Sequence, residues 1–463
     1  MDDRLTRRAL LKAAGTVLAG TGILGIVGCS PTPTPVPPPT SKPAAAPATS
    51  APTQAATALP AKPKEVRLRI AWWGNDSRHK KYKEILDLYE KKNPGTVMER
   101  EFADWGPYWE KLATQIAGGN GPDIIHNHQN YVNEYANRGA LLELDPLVAA
   151  GKIDLSDFPK GTIEAGKRNG KNWMIALGAS APSTLFNMPL WQKTGVTMPS
   201  NTWTWKVFEE SLIGVTKALG DKVYASTDQG AWEDAIQVYM RQRGFELFKG
   251  KDLKEVGFTK EALTDWWSIW ERLRKAKAIP DAALTAEFGN TTHADSMLAK
   301  KLAATHLMNV NQLQIYQQYM DDELNVVVVP RGDAPGSPPG DFIGTAWLSI
   351  YSKTKLVDES AAFISWFVND PEPAKIFMAE HGPPGSKKIV EMLKPMLPKP
   401  VQKGFDFISY ISPGVVAAGE RPSQGSEVLK AHSRIYQELA FGRVSLKQAV
   451  DSFFDEAQRI LSS

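Results

Sequence analysis

Apolar and polar positions after residue 65 fall into short strand-like runs and longer faces of helical spacing. Val66 to His79 opens as a strand-like run and breaks into the polar turn Gly74-Asn75-Asp76. Tyr82, Ile85, Leu86 and Tyr89 then recur at helical spacing as far as the stop Asn93-Pro94-Gly95. Val97 to Phe102 is a second strand. It leads through Ala103-Asp104-Trp105-Gly106-Pro107 into a helix with Tyr108, Leu112 and Ile116 on one face, ended by Gly118-Gly119-Asn120-Gly121-Pro122. Asp123-Ile124-Ile125 is a short buried strand opening onto His126-Asn127-His128-Gln129-Asn130, and the Asp123 carboxylate suits the backbone amides of the Gly-rich turn. Strands alternating with helices predict an α/β unit with a parallel sheet covered on both faces.

A different texture begins near Lys171. Asn172 to Leu177 reads as a strand, and Gly178-Ala179-Ser180-Ala181-Pro182 as a break where the chain leaves the first unit. Helical faces follow, marked by Phe208, Leu212, Val215 and Leu219, and by Leu263, Trp266, Trp267, Trp270 and Leu273. Val326 to Val329 is a strand closed by Pro330-Arg331-Gly332. Ala362, Phe363, Trp366 and Phe367 make another helix face, Gly382-Pro383-Pro384-Gly385 a second break, and Leu446, Val450, Phe453 and Phe454 the inner face of a last helix.

Composition narrows the class. The 463 residues, 42% hydrophobic and 23% charged, suffice for two or three folding units. Of the formal charge of +3, residues 1–28 supply +2, so the body is nearly neutral and nucleic acid is not an expected partner. Cys29 is the only cysteine, which excludes internal disulfides and Cys-based metal sites. Thr6-Arg7-Arg8-Ala9-Leu10-Leu11-Lys12 leads into a Gly-rich apolar stretch, Ala13 to Val27, too short for a comfortable membrane span, that ends at Gly28-Cys29. This resembles a bacterial lipoprotein signal of twin-arginine type, which implies cleavage before Cys29, acylation of its thiol, and an address on the outer face of the cell membrane. Ser30 to Lys64 holds 11 Pro in 35 residues and no aromatic, the composition of an extended spacer.

Several short motifs in order resemble extracellular solute-binding protein family 1, the lipoprotein receptors of ABC-type sugar importers, with maltodextrin-binding protein a distant relative. They are the aromatic strand before its Gly turn; Gly119 to Ile125; Gly139-Ala140-Leu141-Leu142-Glu143-Leu144-Asp145; and Gly170-Lys171-Asn172-Trp173 through Phe186-Asn187. Further on come Lys193-Thr194-Gly195-Val196, Thr202-Trp203, Pro330-Arg331-Gly332, and Glu359 to Ile364 with Asn369-Asp370-Pro371. The resemblance implies a periplasmic-binding-protein-like (type II) fold, two α/β lobes joined by a hinge that the chain crosses three times, near Gly178 to Ala181, Gly344 to Trp347, and Gly382 to Gly385. The expected organisation is a signal peptide (1–28), a lipidated Cys29 and tether (29–64), a first lobe (65–178 and 346–382) and a second (179–345 and 383–463). The implied partners are a carbohydrate, an ABC permease and the membrane through Cys29; no cofactor is implied, and the chain is expected to act as a monomer.

A sugar offers apolar C–H faces and a belt of hydroxyls, so its receptor needs aromatic plates and planar polar side chains. The first lobe offers Trp73, Asn75, Asp76, Arg78, His79, Trp105, Asn127, Gln129 and Asn130. Alternation in the strand sets Trp73 outward and Trp72 inward. Asp76 serves equally as a helix N-cap. His126 and His128 read as polar lining rather than as a metal pair, for want of a third ligand. The resemblance puts second-lobe contacts at Ser180, Asp228, Gln229, Trp232, Glu233, Asn309, Asn311, Trp347, Arg421 and Gln424. Helical spacing makes Trp266, Trp267 and Trp270 core, and Trp203 and Trp205 read as packing residues. The expected function is capture of a carbohydrate, without chemistry of its own. Two alternatives stay open: the same fold around a polyamine or a glycerol phosphate, and a secreted carbohydrate-active enzyme with paired carboxylates. No nucleophile elbow, HExxH helix or phosphate loop speaks for the last.

Overall fold

The computed structural model describes residues 65–463 except Asp221, Asn290, Thr345, Ala417 and Ala418. The signal peptide, Cys29 and the tether lie outside the described residues. In chain order, the strands of the two larger sheets are β1 (Val66–Trp73), β2 (Thr96–Ala103), β3 (Ile124–His128), β4 (Ile175–Ala176), β5 (Pro182–Asn187), β6 (Tyr224–Ser226), β7 (Ala303–Asn309), β8 (Leu324–Val328) and β9 (Ala346–Ile350). The helices that matter for the site are α1 (Asp76–Lys92), α2 (Trp105–Ala117), α3 (Trp205–Leu219), α4 (Glu233–Arg241), α5 (Lys260–Lys275), α6 (Val357–Asn369), α7 (Gly425–Ala440) and α8 (Leu446–Ser462).

One sheet has the order β2-β1-β3-β9-β4, with β1 parallel to both neighbours and β9 antiparallel to both of its own. The other runs β8-β5-β7-β6, in which β7 lies parallel to β6 and antiparallel to β5. Each sheet has its own core. Leu68, Ile70, Trp72, Tyr82, Ile85, Ile124, Leu348 and Phe363 pack in the first, and Phe186, Trp205, Phe208, Trp266, Trp267, Trp270 and Phe453 in the second. Because β9 and α6 complete the first core after the second sheet has been built, the chain must pass between lobes more than once. Trp203, Trp205, Trp266, Trp267 and Trp270 are all buried, as their spacing predicts.

The connecting segments lie side by side. Ser180 and Gly344 exchange both backbone hydrogen bonds at 2.8 Å, and the Ala179 amide donates to the Pro383 carbonyl at 2.7 Å. A Cβ on Gly178 would sit 2.7 Å from the His381 carbonyl oxygen, and Gly382, at φ +92°, would drive one into the Ala179 carbonyl. Only glycine fits these two places.

Three local expectations need correction. Asn172 to Leu177 is not one strand: Lys171–Asn172 pairs with Lys167–Arg168 in a separate hairpin, and only Ile175–Ala176 joins the main sheet. The Asn172 side-chain oxygen accepts from the Met174 amide at 3.3 Å, a local turn that interrupts the ladder. Strands β5 and β9 were not expected. In β5 the polar Ser183 and Thr184 disguise a fully buried central strand, and their hydroxyls donate to the Met308 and Val328 carbonyls at 2.6 and 3.3 Å. Asp123 holds the Arg69 amide of β1 at 2.8 Å and the Thr354 hydroxyl, not the amides of the Gly-rich turn.

Candidate functional site

On the first lobe, the ends of β1 and β3 carry an aromatic stack. Trp73 lies flat on His126, ring centroids 3.8 Å apart and 8° from parallel, with Trp105, Tyr108 and Trp109 around it. Alternation misjudged this strand, because α2 covers the face that Trp73 presents: both Trp72 (0% exposed) and Trp73 (6%) are buried. Trp105, at 41%, is the exposed ring. Asn75, not Asp76, caps α1, its side-chain oxygen accepting from the Arg78 amide at 3.0 Å. Asp76 is exposed in the first turn, where its charge suits the helix dipole.

Other first-lobe candidates are engaged in structure. Arg78 is buried and reaches Glu380 and the Trp73 carbonyl, each at 3.4 Å. His79 accepts from the Trp72 indole at 3.1 Å. Asn127 is fully buried and donates to the Ser349 hydroxyl at 3.0 Å. Gln129 packs so closely on Gly344 that a Cβ there would strike its amide. Trp347 is 1% exposed within the sheet.

The second lobe is built differently. Where β6 and β7 end, a cavity of about 340 Å³ opens, bounded by Thr227 to Gln229, by Thr285, Phe288, Thr291, His293, Ser296 and Leu298, and by His306, Met308 and Tyr316. Gln229 donates to the Thr227 hydroxyl at 3.1 Å, which also shares a 2.7 Å bond with His306 Nδ1; the Gln229 amide oxygen bonds no protein group among the described residues. The Thr285 hydroxyl is buried and has no protein partner among the described residues. His293 donates to Gln312 at 2.7 Å. Burial, and secondarily the charge of His293, lowers the pKa of His306 to about 4, so its ring is neutral at physiological pH. Asp228 lines this cavity, but both its oxygens are engaged, Oδ2 by Arg274 at 2.5 Å and Oδ1 by the Tyr436 hydroxyl at 2.6 Å. Ligands sit at such strand ends in open α/β sheets.

The sequence profile described as Bacterial extracellular solute-binding protein matches residues 84–403, more than half of the chain. The chain belongs to this family of bacterial extracellular solute-binding proteins. Among solved structures it is similar to an extracellular solute-binding protein family 1 member of Alicyclobacillus acidocaldarius (TM-score 0.68, 24% identity, 87% of this chain and 100% of that one). It is also similar to a periplasmic oligogalacturonide-binding protein of Yersinia enterocolitica, solved with saturated digalacturonic acid (TM-score 0.75, 22% identity, 86% and 99%). These likenesses show the type II two-lobe fold. A protein of Brucella abortus (strain 2308) named as a binding protein is 25% identical over 180 residues, 38% of this chain and 41% of its own length. The match thus spans about two-fifths of that relative.

In this solute-binding protein the lobes also touch directly. Asn130 donates to Glu233 at 2.5 Å, Asn133 to the Arg421 carbonyl at 2.7 Å, and the Asn169 amide to Glu420 at 2.9 Å. Arg421, 5% exposed, reaches Glu233 at 3.4 Å and Gln237 at 3.1 Å. Asn309 donates to Asp234 at 2.8 Å; burial and the neighbouring Glu233 raise that carboxyl's pKa. Ser180 and Asn311 bond each other at 2.8 Å beside the hinge. Trp232 is half-buried against the second core, and Gln424 precedes α7 with its side-chain oxygen accepting from the Ser423 hydroxyl. The structure therefore gathers Gln229 and Asp228 at the cavity, and Asn130, Glu233 and Arg421 at the lobe contact. Sequence reasoning missed the cavity wall formed by Thr285, Phe288, Thr291, His293 and Ser296. Its one signal was the polar run Asn290-Thr291-Thr292-His293, a loop-like stretch between two apolar segments. Among the described residues no three His, Cys, Asp or Glu side chains converge as metal ligands, and no helix is long and apolar enough to cross a membrane.

Proposed function

We propose that this chain is an extracytoplasmic receptor that captures a neutral sugar or oligosaccharide in the second-lobe cavity, closes its lobes on it and delivers it to an ABC transporter permease. The observation that carries this reading is the cavity lining, in which the Thr285 hydroxyl and the Gln229 amide oxygen have no protein partner among the described residues and stand beside the apolar Phe288 and Met308. That is the mixture a sugar's hydroxyl belt and C–H faces need. An anion is not favoured: the described lining of the cavity holds no Lys or Arg, and elsewhere Arg274 is held by Asp228 and Tyr436, Arg421 by Glu233 and Gln237, and Arg78 by Glu380. The cavity does not favour a polyamine either, because both oxygens of Asp228 are already taken.

Closure follows from a ligand's greater affinity for the closed state. In this reading residues 65–178 and 346–382 act as one lobe against 179–345 and 383–463. Packing of α6 in the first core and of α7 and α8 in the second supports that division. The protein works as a monomer held to the membrane by a lipid on Cys29, and it performs no chemistry on its ligand. Calorimetric titration against neutral oligosaccharides, uronates, glycerol phosphates and polyamines tests this. Heat with a neutral sugar alone is expected. Heat only with a uronate, phosphate or polyamine, or turnover of a sugar, would refute it.

A further inference from the structure

The turn Thr227 to Trp232 forms one rim of the cavity, and it is held from behind by residues that touch no part of the cavity. Asp228 is the link. Its side chain is 1% exposed and accepts three hydrogen bonds, from Arg274 of α5 (2.5 Å), from the Tyr436 hydroxyl of α7 (2.6 Å) and from the Gly230 amide within the turn (3.0 Å). Arg274 also donates to the Tyr436 oxygen at 2.7 Å, closing a three-membered ring of polar contacts. The Tyr436 ring lies where a Cβ on Gly230 would fall, so the turn seats directly on it. The Trp266 indole completes the grip by donating to the Gly230 carbonyl at 2.9 Å. Burial, and then the Asp228 charge, keep the Tyr436 hydroxyl protonated, so it remains a donor across the accessible pH range.

We propose that Tyr436 is a positioning residue for sugar recognition: from the C-terminal helix pair, through Asp228, it fixes the turn that presents Gln229 to the cavity. A carboxylate with three donors is a stiff anchor, because charged hydrogen bonds are shorter and stronger than neutral ones. Arg274 alone cannot replace Tyr436, since the hydroxyl holds the second carboxylate oxygen and the ring supports Gly230. The consequence is that ligand affinity depends on a residue outside the cavity. This rests on the receptor reading, but the shape of the turn can be measured without a ligand.

The test compares Tyr436→Phe with Phe453→Leu, a change in the same lobe's core away from the turn, in the full chain. Hydrogen exchange by mass spectrometry should show residues 227–233 exchanging about ten-fold faster in Tyr436→Phe, the effect of one lost charged hydrogen bond. Phe453→Leu should leave that segment at the wild-type rate even where it lowers the melting temperature as much. Wild-type protection in Tyr436→Phe, or equal loss in both variants, overturns the proposal. In parallel, cellobiose, maltotriose and raffinose are titrated into all three proteins. Where the wild type binds one of them, Tyr436→Phe should weaken it about ten-fold and Phe453→Leu should not; unchanged affinity in Tyr436→Phe also overturns the proposal. Where the wild type binds none, the receptor reading is what suffers, and exchange alone decides the role of Tyr436.

Discussion

On the first lobe, the ends of β1 and β3 bring Trp73, His126, Trp105, Tyr108 and Trp109 into contact with one another, leaving Trp105 as the exposed ring. On the second lobe, the ends of β6 and β7 border an open cavity whose wall mixes Thr, Ser, Gln and His with Phe288, Met297, Leu298, Met308 and Tyr316. The richer aromatic surface is thus consumed by packing, while the mixed wall of the cavity keeps the Thr285 hydroxyl and the Gln229 amide oxygen without a protein partner among the described residues. Residue types suited to a sugar do not by themselves mark a binding surface; what matters is which of them already have partners.

The largest expected effect lies on the first lobe. Trp73→Ala should cost about 3–5 kcal/mol of stability, the range for removing a large buried aromatic, measured by denaturant unfolding. A variant that unfolds like the wild type but binds poorly would return Trp73 to the ligand site and erase the contrast between lobes.

Acid is expected to act next most strongly. His306 and His432 of the second lobe are both buried and have pKa values lowered to about 4 and about 3 by that burial. Unfolded, each takes a proton near its ordinary value of about 6.5. Protons therefore favour the unfolded chain as pH falls from about 6.5 toward 4, at about 1.4 kcal/mol per histidine per pH unit. Asp234 works the other way, since a carboxyl with a raised pKa favours the folded state in acid, and it offsets part of the loss. Unfolding free energies at pH 7.5 and pH 5 should show the decline, and His306→Gln should make it shallower by the share of one histidine, since His126, His128, His381 and His432 are buried with lowered pKa values as well. An equal slope in the variant would mean that His306 is not held neutral.

Smaller effects separate cavity from lobe contact. Gln229→Ala should weaken sugar binding by about 1–2 kcal/mol with little change in melting temperature, the scale of one or two hydrogen bonds. Asn130→Ala removes one bond between the lobes, worth about 1 kcal/mol. Small-angle scattering of the free variant should show a larger radius of gyration, and an unchanged radius would mean that this contact does not hold the lobes together.

Much of the fold was legible because periodicity reports burial. The alternation of strand and helix from Val66 to Gly139, the tryptophan faces of α5, and the glycine breaks at Gly178 and Gly382 all reappear where the pattern placed them. Strand β5 was hidden because a central strand is identified by its neighbours, and Ser183 and Thr184 look like loop residues until β7 and β8 satisfy them. The candidate site was legible only in part, since hydrogen-bond capacity depends on partners distant in sequence. Arg78 finds Glu380, Asp228 finds Tyr436 and Asn127 finds Ser349, each more than 200 residues away. Gln229 survived as a candidate because its amide oxygen finds no protein partner among the described residues.

The central claim is that the sugar sits in the second-lobe cavity, and the most direct measurement is to close that cavity from its exposed rim. Thr291→Trp places an indole at the mouth without disturbing a buried group, as Thr291 is exposed and its hydroxyl donates to the Phe288 carbonyl. Calorimetric titration with the neutral sugar that binds the wild type should show at least a hundred-fold loss of affinity, about 2.7 kcal/mol, at an unchanged melting temperature. Wild-type affinity in Thr291→Trp would contradict the claim and move the ligand elsewhere in the cleft.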